Sequence, residues 1–260
     1  MPEEIRWNPQ KIAAFWSTWE ESPAMQNRHF SRQRGAALLK WTAKHVTITE
    51  PVLDLGCGPG HLLNLLLNKR IRSAGADVSP RSISIVNERF SSVPCFLGAT
   101  RLTSDTLPFE PDMFGTVFLL ETIEHLLKDS IDAYLKSIRA TLKKDGCLVI
   151  TTPNRENLSE NMITCTECGC SFHRTQHISS FDRHSLATRV VNAGFSVVTC
   201  RGVMLPPEMR VWFAARKSRG PQQRNCPECK SPVVFRKSAG SRVKDILGEL
   251  SHLVCIARRP

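Results

Sequence analysis

The chain has 260 residues, of which 41% are hydrophobic, and it carries a formal net charge of +11. This length suits one domain with insertions and a sizeable buried core. No apolar run approaches the ~20 residues that a membrane span needs, which excludes a membrane-spanning class, and the N-terminus lacks the plan of a signal peptide, so we expect a cytoplasmic protein.

Strands and helices are predicted to alternate from residue 52 onward, after helices within residues 10–45. The predicted strands cover residues 52–55, 73–77, 93–97, 114–120, 146–152, 196–202 and 252–259, and the predicted helices cover residues 61–70, 80–90, 131–144 and 184–195. Near-continuous apolar strands alternating with helices are typical of a parallel sheet covered on both faces. We therefore expect a doubly wound α/β fold with seven strands, mostly parallel, with an antiparallel last strand.

The stretch VLDLGCGPGHL, residues 52–62, joins the first predicted strand to the first helix of this pattern. Gly56, Gly58 and Gly60 allow positive φ angles and a close approach to the backbone. A dinucleotide fingerprint needs glycine where His61 stands, and a phosphate-binding P-loop needs a Gly-Lys-Ser/Thr ending that is absent. The loop therefore does not match a pyrophosphate site.

The spacing of Asp54 and the three glycines resembles motif I of the class I S-adenosylmethionine-dependent methyltransferases, DxGxGxG. The resemblance implies the seven-stranded Rossmann-like fold of that family over residues 46–260, with S-adenosylmethionine bound at this loop. It implies that Asp77, at the end of the second strand, hydrogen-bonds the ribose hydroxyls. Asp54 would face the methionine end of the cofactor.

Three further residues receive cofactor roles from the same resemblance. Ala99 and Thr100 stand where the family usually has an acid, so the adenine would be bound by backbone atoms there, and Leu120 would line the site at the end of the fourth strand. Residues 1–45 are expected to form an N-terminal helical lid. Trp16 and Trp19 lie on one face of it and either close over the cofactor or pack in the core.

The segment LLETIEHL follows the fourth strand. If it opens a helix, Glu121, Glu124 and His125 share one face at the cofactor edge of the sheet. His177, in the loop after the fifth strand, lies at the same edge. Two carboxylates and an imidazole suit Mg²⁺, Mn²⁺ or Zn²⁺.

Two subfamilies have a similar arrangement of residues. Quinone-biosynthesis O-methyltransferases carry a similar ExxEH, and small-RNA 3′-terminal 2′-O-methyltransferases hold a metal with two Glu and two His. The resemblance implies catalytic roles for Glu121, Glu124, His125 and His177. Three interpretations stay open: an ordinary helix cap with salt bridges, a histidine acting alone as general base, or a metal that activates a hydroxyl.

Two CxxC pairs, Cys165 with Cys168 and Cys226 with Cys229, lie in segments that break the alternating pattern, at about residues 157–173 and 204–246. Each pair presents two thiolates on one side of a tight turn, and two such turns complete a tetrahedral zinc site. We expect one structural zinc ion bound by these four cysteines, with Cys170 and His173 as alternative ligands.

The function expected from the sequence is methyl transfer from S-adenosylmethionine to an oxygen of a small molecule, either a phenol or quinone precursor or a sugar. The basic residues within 201–244 are either a solvated segment or an anion-binding surface, so RNA 2′-O-methylation is a rival. A non-catalytic zinc-ribbon adaptor on a methyltransferase core is a second rival.

Overall fold

The computed structural model describes residues 3–20, 27–210, 222–235 and 252–260. Its main sheet has seven strands in the order β3-β2-β1-β4-β5-β11-β8. These strands are β1 (Val52–Leu55), β2 (Ser73–Asp77), β3 (Phe96–Arg101), β4 (Phe114–Leu120), β5 (Leu142–Pro153), β8 (Ser196–Val203) and β11 (His252–Arg258). The pairings from β3 to β5 are parallel, whereas β11 runs antiparallel to both β5 and β8. The predicted doubly wound sheet with an antiparallel last strand is confirmed.

Helices cover both faces of the sheet, and two small hairpins lie outside it. The helices are α1 (Pro9–Glu20), α2 (Phe30–Thr42), α3 (His61–Leu67), α4 (Pro80–Phe90), α5 (Ile131–Thr141) and α6 (Arg183–Asn192). The hairpins pair β6 (Met162–Thr164) with β7 (Ser171–His173) and β9 (Gln222–Asn225) with β10 (Pro232–Phe235). Among the described residues, no helix combines the length and the apolar character that crossing a membrane requires.

The central strands are mostly apolar, as expected for strands that are buried on both faces. Leu53 and Leu55 of β1 pack in the cluster that includes α5 and α6, whereas Val52 packs in the opposite cluster with Leu38 and Leu62 of α2 and α3. All residues of β1, β2 and β4 are buried. Such burial removes the alternating polar pattern of a half-exposed strand.

The third strand differs from its prediction. It was expected at residues 93–97 and instead spans Phe96–Arg101, at the sheet edge where its residues are half-buried or exposed. The apolar pattern of the sequence therefore stops before the strand does. Gly98 has a φ of +96° at a register shift and lets the strand continue. As a result, Ala99 and Thr100 lie inside β3, opposite Gly75 and Ala76, and not beyond its end.

The segment after β4 does not open an α-helix, so the expected helical face is wrong. Glu121 has a φ of +46°, and only Ile123–His125 forms a single 3₁₀ turn. The carbonyl oxygen of Glu124, which a continuing helix would use, accepts backbone N–H groups of Ile178 and Ser179 at 2.8 and 3.2 Å. The turn is therefore tied to the loop that carries His177.

Parts of the insertion expected at residues 204–246 lie outside the described residues, including most of its basic side chains. The predicted helix over residues 131–144 ends earlier, at Thr141, because Leu142 already pairs with Phe114 as the start of β5.

Candidate active site at the carboxyl edge of the sheet

The glycine loop lies where β1 passes into α3. Gly56, Gly58 and Gly60 have φ angles of +80°, +48° and +80°. A Cβ on Gly56 would lie 2.3 Å from the Thr122 hydroxyl oxygen, and one on Gly60 would lie 2.7 Å from the Phe90 ring. Protein packing therefore requires glycine at these two positions, independently of any ligand.

The two acidic residues predicted to bind the cofactor lie side by side at the ends of β1 and β2. The Asp77 carboxylate accepts the backbone N–H groups of Gly58 and Ser79, each at 2.8 Å, which fixes it against the glycine loop. Asp54 is 2% exposed, and its Oδ2 makes no hydrogen bond to the described residues. Burial, together with the charge of Asp77, raises the pKa of Asp54 to about 8.

An unbonded buried carboxylate oxygen is costly, and a cationic donor would offset that cost. The ammonium group of S-adenosylmethionine is such a donor, so Asp54 fits the methionine end of this cofactor. Asp77, at the end of the neighbouring strand, keeps acceptor capacity for ribose hydroxyls because each carboxylate oxygen has more than one lone pair.

Leu120 and Ala99 were also predicted to bind the cofactor, and their positions differ. Leu120 is buried at the end of β4, at the same edge as the glycine loop. The backbone N–H and C=O of Ala99 bond the Asn87 side chain at 2.9 and 3.0 Å, and are thus committed to α4. The chain leaves β3 beside Asp77 at Leu102, whose N–H donates to the Asp77 carbonyl at 2.9 Å.

Glu124, His125 and His177 are brought together at this edge, with one potential ligand atom of each within 4.8 Å of the others. His125 Nδ1 lies 3.2 Å from the Gln176 carbonyl oxygen, so this nitrogen carries the proton and donates it. His125 Nε2 therefore has the free lone pair, and it lies 4.0 Å from Glu124 Oε1.

Burial controls the protonation of this cluster. Glu124 is 1% exposed, and neither of its carboxylate oxygens makes a hydrogen bond among the described residues. Burial first and the charge of Glu121 second raise its pKa well above the ordinary value. Burial and the neighbouring His177 lower the pKa of His125, so His125 is neutral near pH 7. The site holds a carboxylate that needs a cation or a proton, beside a neutral imidazole whose Nε2 lone pair suits a metal ligand better than a proton acceptor.

Glu121 is not part of that three-residue group. Its Oε1 lies 3.3 Å from Nδ1 of His252 on β11. Three of the four residues predicted to act together thus meet, and the fourth is directed to the neighbouring strand. The loss of the expected helix, with the positive φ of Glu121, accounts for this difference.

The sequence analysis missed the roles of Glu156, His173 and Gln176 around the cluster. Glu156, His173 and His177 form a second group of ligand-type atoms within 4.8 Å. Gln176 is fully buried and donates to the His125 carbonyl at 3.0 Å, while its Oε1 accepts the Trp16 indole N–H at 2.8 Å. The His-x₃-His spacing of residues 173 and 177 was the available signal, but His173 was assigned only as an alternative zinc ligand.

Helix α1 lies over this region. The Trp16 ring meets the His125 ring edge-on with centroids 4.7 Å apart, and the Trp16 and Trp19 rings are 5.1 Å apart. Ser17 Oγ lies 3.1 Å from Ser79 Oγ, next to Asp77. The helix therefore contacts both the cofactor side and the Glu124–His125–His177 side of the edge.

The two CxxC pairs come together between the hairpins. The four cysteine sulfurs lie within 4.8 Å of one another, with Cys165 Sγ 3.6 Å from Cys229 Sγ and Cys168 Sγ 3.7 Å from Cys226 Sγ. A tetrahedral site with Zn–S bonds near 2.3 Å has sulfurs about 3.8 Å apart. The donor set and its spacing therefore fit zinc. Cys170 Sγ lies 3.3 Å from Cys226 Sγ, beside the four.

Comparisons with known proteins agree with this architecture. Residues 13–200 match a family model described as a methyltransferase domain. Ubiquinone biosynthesis O-methyltransferases of Cereibacter sphaeroides and Roseobacter denitrificans are 30% and 31% identical over 104 residues, which are 40% of this chain and 41% of each relative. The chain thus spans about two-fifths of the length of the curated relatives it matches.

Solved structures show the same fold at low sequence identity. A complex between the Haloferax volcanii Trm112 methyltransferase activator and a methyltransferase gives a TM-score of 0.64 at 16% identity, covering 98% of this chain and 100% of that chain. The [4+2]-cyclase SpnF gives 0.65 at 13%, covering 99% of each. Because the family model covers more than half of the chain, the protein belongs to the class I S-adenosylmethionine-dependent methyltransferases.

Proposed function

We propose that the protein transfers a methyl group from S-adenosylmethionine to a hydroxyl oxygen of a small molecule. The observation that carries this proposal is the Glu124–His125–His177 group at the cofactor edge of the sheet, in which Glu124 and His125 are buried. A phenol or sugar hydroxyl is a weak nucleophile near pH 7 and needs help with its proton, whereas the sulfonium methyl group needs mainly alignment. The matched relatives named as O-methyltransferases support the choice of oxygen.

A divalent cation fits this group of residues. Within the part of the chain that the structure describes, the two buried Glu124 oxygens make no hydrogen bond. His125 offers an unprotonated Nε2, and its other ring nitrogen is held by a carbonyl, a common arrangement around metal-bound histidines. His177 completes a set of three. When bound, a cation such as Mg²⁺ or Mn²⁺ lowers the pKa of a coordinated hydroxyl and fixes its position.

The chain itself supplies orientation and exclusion of water. Gln176 holds His125 from two sides, through its backbone carbonyl and its side-chain amide. Trp16 packs against the His125 ring and is anchored on Gln176, which supports a lid role for α1 over the reacting edge. Without a cation, His125 would have to take the hydroxyl proton on Nε2, and its lowered pKa makes it a weak base for that step.

For the four cysteines we propose a structural zinc ion. Four thiolates leave no open coordination position, so this ion takes no part in the chemistry. The exposed Cys229 thiol is prepared for binding, since hydrogen bonds from the side chain and backbone of Ser231 lower its pKa to about 6. The ion would join the β6–β7 and β9–β10 hairpins.

Methyl transfer from labelled S-adenosylmethionine to a panel of catechols, other phenols, sugars and short RNAs tests the function. We expect turnover with a phenol or sugar and a loss of about 100-fold or more in His125→Ala, in line with the usual contribution of acid–base groups. The control is His45→Ala, a residue that follows α2 and stacks on Trp41.

The other outcomes of these assays distinguish the alternative mechanisms and functions. Sensitivity to a chelator, restored by Mg²⁺ or Mn²⁺, supports the cation, whereas chelator-insensitive turnover that still requires His125 supports a histidine base. Full activity of His125→Ala would contradict both. Turnover of RNA alone would favour the RNA rival, and cofactor binding without any turnover would favour the non-catalytic adaptor.

A further inference from the structure

We propose that His173 and Glu156 are positioning residues that hold His177 with its proton on Nδ1 and its Nε2 free for the acceptor site. Glu156 lies three residues beyond β5, and its carboxylate stands between the two histidines. The role of these residues in methyl transfer rests on the proposed function. The contacts among Glu156, His173 and His177 do not depend on it.

The protonation state of His173 is set by its own loop. His173 Nδ1 lies 3.1 Å from the backbone nitrogen of His177, which can only donate, and the Thr175 backbone N–H points to the same atom at 3.4 Å. A ring nitrogen that accepts these groups carries no proton, so the proton of neutral His173 is on Nε2. Nε2 is buried and makes no hydrogen bond among the described residues, and Glu156 Oε1 lies 3.5 Å from it as an ion-pair contact.

This assignment separates His173 from metal chemistry. A metal ligand must offer a lone pair, and Nε2 of His173 is occupied by its proton while Nδ1 is occupied by the backbone. Of the two histidines beside Glu156, only His177 therefore remains as a ligand or base. The role of alternative zinc ligand considered for His173 is disfavoured for the same reason.

Glu156 then fixes His177. The other carboxylate oxygen of Glu156 contacts His177 Nδ1, and the His173 and His177 rings stack with centroids 4.7 Å apart. A carboxylate that lies between two histidine ring nitrogens only accepts hydrogen bonds. His177 must donate from Nδ1, which leaves the lone pair on Nε2.

The β6–β7 hairpin connects the cysteine site to His173. His173 is the last residue of β7, and Met162 pairs with it at the open end of the β6–β7 hairpin. The opposite end of the hairpin is the first cysteine turn, closed by the Cys165 N–H to the Cys170 carbonyl at 2.9 Å. The hairpin thus links the four cysteines to His177 through His173 and Glu156, which gives the insertion a role at the reacting edge.

Histidine tautomers are read directly by long-range ¹H–¹⁵N correlation spectra of the full chain without acceptor or added Mg²⁺ or Mn²⁺. We expect His177 to be protonated at Nδ1 and His173 at Nε2. A proton on Nε2 of His177, or on Nδ1 of His173, overturns the proposal. No variant is needed for this reading, so a folding defect cannot obscure it.

The variant Glu156→Met keeps the length of the side chain and removes both acceptor oxygens. We expect His177 to lose its preference for the Nδ1 proton, while His173 keeps its Nε2 proton because the backbone still holds it. Where the wild type transfers methyl groups, this variant should fall about 10- to 100-fold, the usual cost of removing a partner behind a ligand histidine. The control is Glu160→Gln, on the exposed 3₁₀ turn Leu158–Asn161.

An unchanged His177 tautomer in Glu156→Met would contradict the positioning role of Glu156. The expected tautomers in a protein that transfers no methyl group would support the positioning of His177 and contradict the proposed function. The two failures are thus distinguishable.

Discussion

We expect the ionisation of Asp54 to lower the free energy of unfolding of the cofactor-free protein. Its pKa is raised from an ordinary value of 3.8 to about 8 by burial and by Asp77. Since the pKa is higher in the folded state, ionisation favours the unfolded chain, and stability falls as pH rises from about 4 to about 8. The value pH 7 lies roughly three pH units above the ordinary pKa. At about 1.36 kcal/mol for each unit, the free energy of unfolding is lower by about 4 kcal/mol at pH 7.

The variant Asp54→Asn cannot ionise and keeps nearly the same shape. We expect it to be more stable than the wild type by up to about 4 kcal/mol at pH 7, with little difference at pH 4, in urea unfolding of the free protein. The same variant should bind S-adenosylmethionine more weakly, since it lacks the negative charge that we propose as the partner of the cofactor's ammonium group. The control is Asp145→Asn, at an exposed residue of β5.

Two results would contradict these roles of Asp54. A stability difference between Asp54→Asn and the wild type that is the same at pH 4 and pH 7 would show that Asp54 does not ionise against burial. Undiminished cofactor affinity in the variant would show that its carboxylate does not face the cofactor.

Three further changes test the packing of the loop, the cysteine site and the lid. Gly56→Ala forces a Cβ to within 2.3 Å of the Thr122 hydroxyl at a positive φ, so we expect a loss of about 2 kcal/mol or more in unfolding free energy; a neutral result would contradict the close packing. Metal analysis should find one zinc per chain in the wild type and in Cys95→Ser, and far less in Cys226→Ser; retention of zinc in Cys226→Ser would argue against the four-cysteine site. Trp16→Phe removes the N–H that bonds Gln176 Oε1 and leaves that buried oxygen unsatisfied, at a cost of about 1–3 kcal/mol, so methyl transfer should fall several-fold with unchanged cofactor affinity, and unchanged turnover would count against the lid.

Local patterns predicted the parts of the protein that depend on nearby residues. The apolar strands, the glycine spacing and the two acids at strand ends lie within short stretches, and the parallel topology places their ends together. The two CxxC turns could be recognised for the same reason, since each turn presents its own pair of sulfurs.

The remaining parts depend on contacts between distant segments. The turn at Ile123–His125 stops being helical because a loop more than fifty residues later takes the Glu124 carbonyl, which the sequence spacing of Glu121, Glu124 and His125 cannot reveal. Glu156 and His173 acquire their roles only because the chain beyond β5 and the end of the β6–β7 hairpin meet beside His177. Strand β3 was misplaced because an edge strand has little apolar pattern to read.

The proposed function depends most directly on where S-adenosylmethionine binds. Calorimetric titration of the chain with S-adenosylhomocysteine should give one site per chain, and Asp77→Ala should abolish that binding. A chain that binds no cofactor, or an Asp77→Ala variant that binds it as the wild type does, would contradict the account.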